Sequence, residues 1–254
     1  MIITDYLYHA PGKNYSPGHI HLRKSAVINT RFLAYICLRT YVDVGSSMPR
    51  PDGEGNIIVQ PEPQPVHLWQ CMLHSSPQLL DNFSNTFARY KKYRNEIETF
   101  LASDCIFPWA ALTRLQAPKP FSDLIESLLG AIYVDSRGSL DTVRAVLRKL
   151  GILDIIERIV LEDVDILHPV SHLGVWAAKQ GKEIEYEYEK VAGQITCIIK
   201  LNGEEELRFS DVYRGLASQH DAEFAAAEMV IHKLKLREQS NAVADDMRTN
   251  TYAG

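Results

Sequence analysis

The 254-residue sequence is poor in cysteine, in excess charge of either sign and in long apolar runs. Its four cysteines (Cys37, Cys71, Cys105 and Cys197) form no C-x-x-C pair. They are too sparse for a disulfide framework, which points to a reducing, intracellular compartment and leaves cytoplasm and nucleus equally open. The nine histidines are scattered. His19 and His21 lie two apart, but no cysteine, third histidine or nearby carboxylate completes a zinc pattern. No apolar run is long enough to span a bilayer and nothing reads as a signal peptide, so no membrane partner is expected. The net charge of −5 excludes a globally basic protein, so any nucleic-acid surface has to be local. Against these absences stand 46% hydrophobic and 23% charged residues. That composition supports a real core in one large or two small domains.

Up to about residue 160 the periodicity is helical and implies an all-α domain over 1–160. Ile2, Ile3, Tyr6 and Leu7 have helical spacing with no N-cap and no lead-in, which fits a frayed N-terminus or a helix whose upstream piece is missing. Ser16-Pro17-Gly18 is a turn. The helical stretch 20–36 follows, with Leu22, Ala26, Phe32, Leu33 and Ile36 available to the core and Arg23, Lys24 and Arg31 forming a local positive surface. Residues 44–66, rich in Gly, Pro and Ser, read as a long loop and a mobile insertion.

A further helix is expected from Ser76 or Asp81 to about Ser103, with Leu79, Leu80, Phe83, Phe87, Tyr90, Ile97, Phe100 and Leu101 inward. Its Arg89, Lys91, Lys92 and Arg94 suit a phosphate backbone, or equally a solvated face with Glu96 and Glu98 as partners. Ser139 is a good N-cap for a helix that Gly151 ends.

Residues 168–236 change character. His168-Pro169 opens a short helix to about Gln180. Ile184–Lys190 alternates as a half-buried strand does, and Gln194–Leu201 is a second strand. Asn202-Gly203 is a hairpin turn into a third strand over 204–212. A helix over 221–235 completes an α-β-β-β-α order, a small α+β module. Residues 238–254 are polar and aperiodic and read as a disordered tail.

The most informative stretch is 119–135. As a helix it puts Asp123 and Glu126 one turn apart on one face, continued by Gly130 and Tyr133. Leu124, Ile125, Leu128, Leu129 and Ile132 form the apolar face. Pro118 and Pro120 disfavour helix just before it, so Lys119 is expected in extended chain at the helix mouth. Two carboxylates and a lysine at one helix end can hold a metal and a phosphate. In-line hydrolysis of a phosphodiester needs a divalent metal to activate water and stabilise the leaving oxygen, and Mg²⁺ takes carboxylate, water and phosphate oxygens.

A lone D-x-x-E is a weak signal. The string Lys119-x3-Asp123-x2-Glu126-Ser127-x2-Gly130-Ala131-x-Tyr133-x-Asp135 closely resembles the second signature of ribonuclease III domains. Ser16-Pro17-Gly18, Leu22-Arg23, Asn29 and Leu33-Ala34 match the family's helix between its two signatures. The α+β module resembles the double-stranded RNA-binding domain that commonly follows; the long insertion at 44–118, unlike compact bacterial enzymes, resembles the second ribonuclease III domain of Dicer, and the sequence overall is most similar to fungal Dicer-like proteins. The resemblance covers about residues 1–236.

This likeness implies a double-stranded-RNA-specific endoribonuclease with Mg²⁺, or Mn²⁺ in its place, working beside a second ribonuclease III domain in RNA processing and silencing. Asp123 and Glu126 would be metal ligands, and Lys119 would contact the phosphate near the scissile bond. Arg23, Lys24, Gln219 and His220 would be weaker RNA contacts.

Two departures temper the likeness. The family's other signature, a run like E-R-L-E-F-L-G-D-A-V-L-D that supplies two more carboxylates, does not occur in this sequence; it is expected just before Met1, which would make this a truncated C-terminal portion. The RNA-binding module is also degenerate. Its last helix opens with Gln219-His220-Asp221-Ala222-Glu223 where the family has a lysine-rich K-K-x-A-K, and the family's helix-one Glu and Gln fall on Val175 and Ala178. Nine Lys and Arg face eleven Asp and Glu between His168 and Arg237, poor for a phosphate reader. A non-catalytic protein that binds RNA or a Dicer-type partner is the alternative.

Overall fold

The computed structural model describes residues 1–46, 50–51, 57–58, 62–73, 77–103, 106–191, 194–210 and 219–234. These divide into two compact units. One comprises residues 1–105 and 117–164, the other 106–116 and 165 onward. The change-over falls between Val164 and Asp165, and the second unit also takes an eleven-residue segment from the middle of the first region. The expected tail, 238–254, lies outside the described residues.

The first unit starts with α1 (Ile2–Tyr8), whose N-cap Met1 makes no side-chain cap bond. The single helix expected over 20–36 is two, α2 (Pro17–Ile28) and α3 (Thr30–Arg39). Asn29 causes the break. Its backbone is extended (φ −75°, ψ 157°), its Oδ1 accepts from the Phe32 N–H at 2.9 Å, and its Nδ2 donates to the carbonyls of Ser25 and Ala26 at 3.1 and 2.8 Å. One side chain thus caps both helix ends. In α3, Phe32 to Leu38 are all buried, so this helix is the centre of the unit, as an all-round apolar helix must be.

The stretch 44–66, expected as loop, contains strands, so the unit is not purely α. β1 (Tyr41–Ser46), β2 (Arg50–Pro51), β3 (Ile57–Ile58) and β4 (Glu62–His67) form two antiparallel pairs, β1 with β4 and β2 with β3. β1 and β4 register from Tyr41 opposite His67 to Ser46 opposite Glu62. Pro63 and Pro65 share parity with His67, whose N–H points away to Gln70 Oε1 at 2.7 Å. Their missing N–H groups therefore fall on the outer edge, where proline costs the ladder nothing. The rest of 44–66 lies outside the described residues, and with it the expected mobility.

After a 3₁₀ turn (Leu68–Cys71) comes α4 (Pro77–Ser103). It buries Phe83, Thr86, Tyr90, Tyr93, Ile97 and Leu101, while Leu80, expected inside, is 53% exposed. A short α5 (Trp109–Thr113), missed in the sequence, belongs to the second unit. The first unit resumes with α6 (Pro120–Asp135), α7 (Leu140–Lys149) and α8 (Ile152–Leu161). α6 packs on α3, with Phe121 and Ile125 fully buried. Ser139 caps α7 as expected, its Oγ accepting from the Thr142 N–H at 3.2 Å. Gly151 has φ +73°, and a Cβ there would come within 2.3 Å of Arg39 Nη2, which donates to the Leu150 carbonyl at 3.0 Å. Glycine suits this turn, because the left-handed backbone strains any side chain and a Cβ would push the Arg39 guanidinium off the Leu150 carbonyl.

The second unit has α9 (Pro169–Lys179), the antiparallel sheet β5 (Ile184–Val191), β6 (Gln194–Leu201) and β7 (Glu204–Ser210), and α10 (Gln219–Lys233). Ile184, Tyr186 and Tyr188 face a core of Leu173, Cys197, Ile199, Ala226 and Val230, and the alternate residues of β5 are Glu185, Glu187 and Glu189. Asn202 (φ 52°) and Gly203 (φ 80°) supply the two positive φ angles of the β6–β7 hairpin turn. The molecule is mostly helical, with one three-stranded sheet.

Candidate functional site on helix α6

Lys119 is not extended as expected. Its φ of −49° and ψ of −36° are helical, and its carbonyl already accepts from the Ser122 and Asp123 N–H groups at 3.0 and 3.1 Å. Pro120 at N1 needs no N–H, so the helix begins through the proline rather than after it. This places the Lys119 Nζ 2.7 Å from Asp123 Oδ1, one turn ahead on the same face. The pair raises the Lys119 pKa, through the hydrogen bond to Asp123 first and its charge second, with Glu126 adding a smaller push. The ammonium is fully charged at neutral pH.

Glu126 is exposed one turn further along and makes no hydrogen bond or ion pair among the described residues. The opposite face of α6, with Phe121 edge-on to Phe83 at 4.8 Å, locks the helix against the core. The three polar groups thus sit on a rigid support. Glu126 also lines a groove of about 590 Å³, with Lys24 and an apolar wall that includes Ile3, Val27, Leu129 and Val143. Lys24 and Glu126 are the charged members of a mostly apolar cleft, to which Thr4 and Tyr133 add hydroxyls.

The other sequence-derived candidates separate. Arg23 is committed to the fold. Its Nη2 contacts Asp163 Oδ1 at 2.8 Å and its guanidinium lies 4.1 Å from the Tyr15 ring centroid. Lys24, the next residue, joins the Glu126 groove. In the second unit, Gln219 hydrogen-bonds the Tyr188 hydroxyl, whose pKa burial pushes up to about 12. The side chain of His220 lies outside the described residues. Sequence reading missed Tyr15, Asp163 and Tyr188 as partners. Asp163 is 140 residues from Arg23, and no local pattern announces such a contact.

Carboxylate oxygens suit a hard divalent cation. Asp123 and Glu126 provide two, and no group of three His, Cys, Asp or Glu able to hold a metal occurs among the described residues. The donor type fits Mg²⁺; the number leaves most of an octahedral shell to water, phosphate or other carboxylates. No described helix is long and apolar enough to cross a membrane.

Comparison with known proteins places the chain in a family. The ribonuclease III domain model matches residues 1–137, from α1 through α6. Dicer-like protein 2 of Coccidioides immitis is 32% identical over 254 residues, covering 96% of this chain and 17% of its own length. Dicer-like protein 2 of Phaeosphaeria nodorum is 31% identical over 247 residues, 94% of this chain and 17% of its own. The Aspergillus oryzae protein of the same name is 34% identical over 169 residues, 66% of this chain and 12% of its own. The chain therefore spans about an eighth to a sixth of the length of these relatives. With the family model matched over more than half its length, and Lys119, Asp123 and Glu126 inside the matched span, this chain belongs to the ribonuclease III domain family.

Proposed function

We propose that this chain contributes part of the cutting site of a double-stranded-RNA-specific endoribonuclease of the ribonuclease III/Dicer class, acting in RNA silencing beside a second ribonuclease III domain. The observation that carries it is the alignment of Lys119, Asp123 and Glu126 along one exposed face of α6, within the family-matched span. Asp123 and Glu126 would hold Mg²⁺, or Mn²⁺ in its place. When bound, the cation supplies activation of water and stabilisation of the leaving oxygen. Lys119, held at its post by Asp123, would turn its ammonium to an RNA phosphate. Lys24 would add a second positive charge beside Glu126. The remaining metal ligands come from RNA oxygens, water or carboxylates of another segment.

The second unit reads as a degenerate double-stranded RNA-binding domain. Its α-β-β-β-α order and one-sided core support that reading. Its charges argue for a scaffolding or protein-contact role instead of phosphate reading. Gln219 is engaged by Tyr188, Lys200 by Glu187, and Arg208 by Glu189 and Glu205.

A second reading, a non-catalytic RNA- or partner-binding protein, is favoured by the two-carboxylate donor set. One assay separates the two. The full chain is incubated with long duplex RNA and Mg²⁺, alongside Asp123→Asn and Glu126→Gln. The first reading expects metal-dependent cleavage to short duplexes that either substitution abolishes. Cleavage that survives chelation or both substitutions would sink it. Duplex binding without cleavage selects the second.

A further inference from the structure

We infer that the partly exposed rings of Tyr41, His67, Trp69 and Phe87, with the Lys91 ammonium beside them, form a platform on which unpaired RNA bases stack. It lies wholly within the first unit and uses none of the α6 residues. The choice of RNA as ligand rests on the function proposed above; the geometry of the platform does not.

The rings form a row. β1 and β4 set Tyr41 opposite His67, with ring centroids 5.6 Å apart. His67 reaches α4 and meets Phe87 edge-on at 4.4 Å. Trp69, from the turn after β4, lies 5.4 Å from the same Phe87 ring, and Tyr90 stacks on Phe87 at 5.8 Å. The row is sealed at one end only. Tyr90 is buried, whereas His67, Trp69 and Phe87 are partly covered and Tyr41, at the outer end, is 54% exposed. Burial holds the His67 pKa below its ordinary value against the Leu38 carbonyl, to which Nδ1–H donates at 3.2 Å, and Lys91 adds a push in the same direction as burial. The imidazole is therefore neutral at pH 7 and serves as a further flat ring. Such faces are poorly solvated and sequence-tolerant surfaces for bases.

The charge beside the rings is also uncommitted. Of the four basic residues clustered on α4, Arg89 donates to Thr86 Oγ1 at 3.1 Å, Arg94 pairs with Glu98 at 3.4 Å, and Lys92 lies 5.1 Å from the Tyr93 ring centroid. Lys91 is exposed and makes no ion pair among the described residues; its Nζ stands 4.7 Å from the Phe87 ring centroid. A cation at the edge of uncovered rings matches a single strand, with phosphate to the ammonium and base to the ring. The neighbours set how the strand lies. Asp43 shares the Tyr41 face of β1, two residues on, and repels a phosphate there, so the sugar-phosphate backbone is expected on the Lys91 side. α4 also backs the start of α6, since Phe83, one turn before Phe87, meets Phe121 at 4.8 Å. A base on the platform is thus held by the same packed support as α6.

The test uses the full chain in the presence of chelator, so that no metal site takes part. The probe is a fluorescein-labelled oligouridine of about ten nucleotides, and the comparison is an abasic oligomer of equal length, which keeps the phosphates and lacks the bases. The base-bearing oligomer should bind about tenfold more tightly or better. Tyr41→Ala should weaken that binding about tenfold and leave the abasic oligomer unaffected, while Tyr41→Phe behaves as wild type. Lys91→Gln should weaken both oligomers and reduce the slope of log affinity against log salt by about 0.7. With 5-iodouridine in the probe, irradiation of the wild-type complex should attach it to Tyr41, His67, Trp69 or Phe87, a readout that depends on no variant folding. Equal affinity for the two oligomers, attachment only elsewhere in the chain, or no binding of either, as a protein-docking surface would give, overturns the inference. If the oligomer stacks here but the chain never cuts duplex RNA, the platform stands and the proposed nuclease fails. If the chain cuts duplex RNA and Tyr41→Ala changes no affinity, the platform fails and the nuclease stands.

Discussion

On α6, Asp123 is paired with Lys119 at 2.7 Å, whereas the exposed Glu126 makes no ion pair among the described residues. In the second unit, Glu187, Glu189, Glu205 and Glu206 each hold a lysine or arginine: Lys200, Arg208 for the middle two, and Lys233. The difference lies in how far the chain neutralises each set itself. A carboxylate matched by its own chain contributes modest stability and has little left for a ligand. If α6 carries the proposed site, Glu126 is the carboxylate open to a cation from outside, and Asp123 would have to share itself between Lys119 and the cation.

The contrast can be broken or sharpened by substitution. The largest effect is expected under the site. Phe121→Ala removes a fully buried ring and should cost the first unit about 3–5 kcal/mol in denaturant unfolding. Next come the exposed carboxylates themselves. Asp123→Asn or Glu126→Gln should lower metal-dependent cleavage by about 100-fold or more. Unfolding should shift by less than about 0.5 kcal/mol, because surface changes away from packing are nearly neutral. A stability loss matching that of Phe121→Ala would mean the carboxylates serve the fold.

Gly151→Ala should destabilise by about 1–3 kcal/mol, since the left-handed turn strains any side chain and Arg39 must leave the Leu150 carbonyl.

A pH series tests the two cores separately. Burial pushes the thiols of Cys37 in the first unit and Cys197 in the second up to about 12 from an ordinary 9. A raised folded value means the fold binds the proton more tightly than the unfolded chain does. Stability is therefore complete below pH about 9 and is lost progressively as pH climbs toward 12. Melting curves between these limits should show Cys37→Ala flattening the decline of the first unit and Cys197→Ala that of the second. A decline unchanged in both would assign the alkaline loss to the tyrosines. The smallest effect belongs to the paired charges: Arg208→Ala should cost no more than about 1 kcal/mol and shrink further in high salt.

Where a residue's conformation depends on its near neighbours, the sequence was legible. Helix α6, its polar face, the Ser139 cap, the Gly151 stop and the alternation of β5 all follow from spacing within a dozen residues. The Asn29 break is also local, since an Asn before a second apolar run is a cap signal, although the helical periodicity continues across it. The strands in 44–66 were hidden because prolines argue against strand unless they fall on an outer edge, and the edge is defined only by pairing.

By itself, then, the sequence determined the helix that carries Lys119, Asp123 and Glu126 and the element order of the second unit, because periodicity and capping act over a few turns; the family followed from the likeness of the 119–135 string and the family match. Tertiary structure alone decided that Arg23 belongs to Asp163 and Tyr15, that Lys119 is helical, and that Ile106–Gln116 is packed with the second unit. Each of these depends on burial and hydrogen bonds between residues distant in sequence or on backbone conformations that local preference opposes. Only the folded chain can supply or enforce them.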